Sequence, residues 1–60
     1  MHVHHALAAI HAEPEKSWTL ATLARLAGLS RSVFAERFHA RIGAPPMSYL
    51  ARWRLQLAAR

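Results

Sequence analysis

Cysteine is absent from this chain of 60 residues, so neither a disulfide framework nor a thiolate metal site can form. Aspartate is absent too, and the acids are limited to Glu13, Glu15 and Glu36. None of them is spaced to orient one of the five histidines, which leaves acid–base chemistry without its usual pairing and points away from an enzyme. No apolar run approaches the roughly 20 residues that span a bilayer, and the amino end has no basic segment leading into an apolar one. The expected location is therefore the cytoplasm, without a membrane partner.

What is present is alanine, leucine and arginine. Hydrophobic residues make up 53% of the chain, and the dominance of alanine and leucine among them favours helices over strands. Sixty residues allow one small all-α domain, near the lower size at which a chain buries enough surface to fold unaided. Eight Lys and Arg give a formal charge of +5. All but Lys16 are arginine, the residue that pairs bidentately with phosphate and with guanine, so a polyanionic partner is expected.

Val3, Ala6, Leu7 and Ile10 recur at the spacing of an amphipathic packing helix over residues 3–12. His2 with His5, or His4 with His11, would fall on neighbouring turns of it. No carboxylate or further ligand lies at matching spacing, and exposed histidines on a polar helix face explain the pattern, so neither a metal site nor a cofactor is expected. Pro14 and its polar neighbours break the helix. Thr19 is a good N-cap for a second helix, with Trp18 and Leu23 in the positions of a hydrophobic staple. Leu20, Leu23, Ala24 and Ala27 form its apolar side, and Gly28 ends it. Ser30 repeats the start signal for a third helix, with Leu29 and Phe34 as its staple, so residues 19–42 read as a helix-turn-helix, a DNA-reading unit.

On the third helix Phe34 and Phe38 share one side, whereas Ser32, Ala35, Glu36 and His39 point away from it. In such a unit that outer face enters the major groove near the helix N-terminus. Arg31 suits a guanine edge or a phosphate, and Arg37 and Arg41 suit phosphates. Glu36 either accepts from a cytosine amino group or pairs locally with Arg37 or another side chain. Thr19, His39 and Arg52 join Arg37 and Arg41 as candidate phosphate contacts. Gly43 stops the helix, and a stiff Ala44-Pro45-Pro46 corner leads into a fourth helix over 46–60 with Pro46 at N1. Tyr49, Leu50, Trp53 and Leu57 fall on one side of it, and Ala51, Leu55 and Ala58 nearly opposite. A second apolar face on a terminal helix points to a further packing partner, although a single exposed leucine among alanines is also ordinary.

Taken together, Trp18-Thr19-Leu20, Leu23-Ala24, Gly28-Leu29-Ser30-Arg31, Phe34, Arg37-Phe38, Gly43, Pro46, Tyr49-Leu50 and Trp53-Arg54-Leu55 resemble the AraC/XylS family of bacterial transcription regulators along essentially the entire chain. The resemblance implies a homeodomain-like, four-helix first half of a DNA-binding domain: packing helix, first helix-turn-helix and linker helix. A second helix-turn-helix and an effector domain would lie beyond residues 1–60. It also implies that Ser32, Ala35 and Glu36, beside Arg31, occupy the base-reading positions. Because two of these are small, sequence preference should be weak. Pro45 departs from the family, which more often has a capping Ser or Thr there. The partners implied are double-stranded DNA and, on the Leu55/Ala58 face, the second reading unit or another protein. The competing function is a truncated interaction module that pairs through that face without reading DNA. A membrane-surface role for the last helix fits poorly, since its arginines are dispersed around it, and no small-molecule site is expected in these residues.

Overall fold

The computed structural model describes residues 2–59, and its elements are α1 (His2–Ala12), α2 (Leu20–Ala27), α3 (Arg31–Ile42) and α4 (Pro46–Ala58). The ends of α2 and α3 and the start of α4 fall where the local backbone chemistry directs. The side chain of His2, and with it the His2/His5 pair, lies outside the described part, as does Arg60 at the end of the 46–60 helix. Among the described residues there is no strand, and the all-α expectation holds. α1 starts one residue before the expected 3–12 span.

The Thr19 side chain accepts from the Thr22 amide at 3.1 Å while the Thr22 hydroxyl accepts from the Thr19 amide at 2.9 Å. This is a reciprocal capping box with threonine in the position usually held by Glu or Gln. Gly28 closes α2 with φ 71° and Gly43 closes α3 with φ 91°, both in the left-handed region. A Cβ at either position would meet nothing within 4 Å, so the requirement for glycine is one of backbone conformation alone, on the order of 1–2 kcal/mol. The Ser30 hydroxyl accepts from the Val33 amide at 3.3 Å and starts α3. Pro45 precedes α4 with no side-chain cap, and Pro46 supplies the N1 conformation.

The apolar stripes converge on one core of Val3, Ala6, Ile10, Trp18, Leu23, Ala24, Ala27, Phe34, Phe38 and Leu50. The staple residues Trp18 and Leu23 are both in it, and Leu29 packs against it. No buried polar or charged side chain interrupts it among the described residues. Phe38 is its hinge between layers: its ring lies 5.7 Å from that of Phe34 on the same helix and 5.7 Å, edge-on, from Tyr49 on α4. α1 packs on α2 and α3, and α3 in turn receives α4, so α3 is held from within while its outer side is left open.

Candidate nucleic-acid interface

Burying Phe34 and Phe38 fixes the rotation of α3, and that rotation decides which side chains face solvent. Arg31, Ser32, Val33, Glu36, Arg37, His39 and Arg41 are exposed. Ala35 is half-buried, so it lies at the edge of the outer face, closer to the core than its sequence position suggests. Val33, 36% exposed, is an apolar member of the surface that sequence reasoning passed over. The only ion pair among the described residues is the 3.9 Å contact of Lys16 with Glu13, so Glu36 is not tied to Arg37 and its carboxylate remains open for an outside donor. Among the described residues, the guanidiniums of Arg31, Arg37 and Arg41 likewise have no carboxylate partner. Thr19 stands exposed at the start of α2, its hydroxyl already engaged in the cap. Arg52 is exposed on α4.

Arg54, two residues on, points to the other flank of α4, about 160° away at 3.6 residues per turn. Its Nε donates to the Pro14 carbonyl at 2.7 Å and its Nη2 donates to the Lys16 carbonyl. The sequence suggested a general contribution to polyanion attraction; the fold gives this guanidinium a structural task, fastening the α1–α2 loop. His11 is similar. Rather than standing alone on a solvated face, its Nε2 lies 2.7 Å from the Tyr49 hydroxyl and its ring 4.8 Å from that of Trp53. The Trp53 indole nitrogen is buried without a hydrogen-bond partner. On the opposite side of α4, Leu55 is 71% exposed, and Ala51 and Ala58 are exposed beside it.

Fold and surface thus combine a glycine-turned helix pair, a capped second member with unpaired arginines, and a core-packed helix after it. Against known proteins, 55 residues are 53% identical to an AraC-like transcription regulator of Streptomyces lividans, covering 92% of this chain and 18% of that protein. Over that segment the chain is AraC-like in sequence. A second AraC-like regulator, from Streptomyces antibioticus, is 51% identical over 55 residues, again 92% of this chain and 18% of the relative. The HTH-type transcriptional regulator AlkR of Acinetobacter baylyi is 51% identical over 53 residues, 88% of this chain and 17% of that regulator. The chain therefore spans less than a fifth of the length of these AraC-like relatives. No family model and no solved structure matches it. Among the described residues, no helix of this AraC-like segment is long and apolar enough to cross a membrane.

Proposed function

We propose that this AraC-like segment binds double-stranded DNA as part of a transcription regulator, with α3 in the major groove. The observation that supports this best is the outer face of α3: short polar side chains flanked by arginines that no carboxylate among the described residues neutralises. Arg31, Ser32, Ala35 and Glu36 are the base-contact residues in this reading, and Thr19, Arg37, His39, Arg41 and Arg52 contact the phosphates. Ser32 and Ala35 offer only a hydroxyl contact and a thymine-methyl contact, so affinity is mainly electrostatic and sequence preference slight. The chemistry is recognition, without a cofactor, in the cytoplasm.

The test is fluorescence anisotropy on a random-sequence duplex across a salt series, comparing the native chain with the Arg31→Ala, Arg37→Ala double variant. Counterion release predicts a steep fall of affinity with salt, and the double variant should reduce the log–log slope by about 1, through Arg37, and weaken binding about tenfold or more at low salt. Affinity that stays flat between low and moderate salt would sink this reading.

The exposure of Leu55 favours a second role for α4. In a longer regulator its outer face seats the second helix-turn-helix; in the alternative it pairs with another protein, the chain acting as an interaction module. Leu55→Glu should abolish any concentration-dependent self-association seen by sedimentation equilibrium. A native chain that stays monomeric at high concentration eliminates self-pairing.

A further inference from the structure

Beside α2 lies a cleft of about 230 Å³ lined by Lys16, Trp18, Thr22, Arg25 and Leu26. None of these residues belongs to α3 or α4, so the cleft is separate from the outer face of α3. Leu26 is 48% exposed and gives it an apolar wall. The Lys16 ammonium stands 4.7 Å from the centroid of the Trp18 ring, held over an aromatic surface that is otherwise buried. Arg25 is exposed and has no carboxylate partner among the described residues. The hydroxyl and amide of Thr22 are both committed to the α2 cap. What the cleft offers a ligand is therefore positive charge at the rim and apolar contact within, with little neutral hydrogen bonding.

We propose that this cleft docks an acidic segment of another protein, one that presents a single large aliphatic or aromatic side chain between carboxylates. Charge complementarity selects the carboxylates, because the lining holds two cations and no acid. The one nearby competitor, Glu13, meets Lys16 at 3.9 Å with both side chains more than half exposed, a contact that an incoming carboxylate displaces at little cost. The apolar wall selects the central side chain, since a bare phosphate gains nothing from Leu26 or Trp18. A second copy of this chain is the wrong occupant: it brings a formal charge of +5 and only three glutamates to a basic rim. Because α3 contributes nothing to the lining, the inference rests on observations other than those behind the DNA-binding proposal.

The test is a titration of the full 60-residue chain, ¹⁵N-labelled, with an acetylated peptide of sequence EDFSDE. The Trp18 indole N–H, which donates to the Glu13 carbonyl at 2.8 Å, reports the cleft, and the Trp53 indole serves as the remote control. The expected result is a saturable shift at Trp18 and Leu26 with Trp53 unmoved. Leu26→Ser should weaken the peptide about tenfold, as loss of a central anchor does, Arg25→Gln at the rim should weaken it by a smaller factor, and exchanging the peptide's Phe for Ser should abolish binding. Leu26→Ser should keep the duplex affinity of the native chain, which also confirms that it folds. No saturable shift, or a Leu26→Ser chain that binds the peptide as well as the native one, overturns the proposal. So does displacement of the peptide by inorganic phosphate or a short duplex with the same shift at Trp18, which would make the cleft a phosphate contact.

Discussion

Phe38→Ala is expected to unfold most of the population at 25 °C. The side chain is fully buried, and its ring joins Phe34 on its own helix to Tyr49 on α4. Truncating a buried phenylalanine costs about 3–5 kcal/mol, through lost transfer energy and the cavity left behind. A chain of this size, at roughly 0.05–0.15 kcal/mol per residue, has on the order of 3–9 kcal/mol in total. The loss is thus comparable to the whole. Circular dichroism during urea titration should show a native chain with a cooperative transition and a variant that begins with much of its helical signal gone. A variant with the native midpoint would mean that the α3–α4 contact contributes nothing, contrary to the core described here. Phe38→Leu, which keeps most of the volume, should recover the larger part of the loss.

Ala24→Leu should lower stability by about 1–3 kcal/mol, the usual range for overpacking. Ala24 is 2% exposed on the buried side of α2, and its carbonyl accepts from the amides of Gly28 and Leu29, where the chain turns toward α3. Three added carbons there have no space unless α2 moves away from its neighbours. Ala21→Leu is the matched control: the same change on the same helix at an exposed position should shift stability by no more than about 0.5 kcal/mol. Equal denaturation midpoints for the two variants would remove the steric argument. Because displacement of α2 also changes how α3 is presented, the Ala24 variant should lose duplex affinity under conditions where it remains folded.

The helix ends were legible in the sequence because their causes are local. Thr19, Gly28, Ser30, Gly43 and Pro46 act on the backbone within a few residues of themselves, and the structure places each at the boundary it signals. The role of Thr22 in the capping box was less visible, since threonine stands where Glu or Gln is the usual sign. The faces of α3 and α4 were also readable, because periodicity fixes which residues share a side. The links of His11 to Tyr49 and of Arg54 to Pro14 and Lys16 span 38 to 40 residues. No periodicity encodes them; they follow from how α1 and α4 lie against each other, so two residues read as generic surface became tertiary fasteners. Ala35 was misjudged in degree for a related reason. An alanine near the edge of a helical stripe is shielded or open according to the neighbouring helix, and α3 has neighbours on more than one side.

The grip of Arg54 on the α1–α2 loop also sets an order on events. The ends of α2 and α3 are fixed by caps and turn bonds between residues only a few positions apart. The loop before α2 receives two of its hydrogen bonds from a side chain 38 to 40 residues later in the chain. The loop's own bonds, among them that of the Trp18 indole to the Glu13 carbonyl, need nothing beyond the loop, whereas the two from Arg54 can form only once α4 has been made. The α1–α2 loop is thus fastened in two stages, its local bonds first and the Arg54 clamp only when α4 has joined the core.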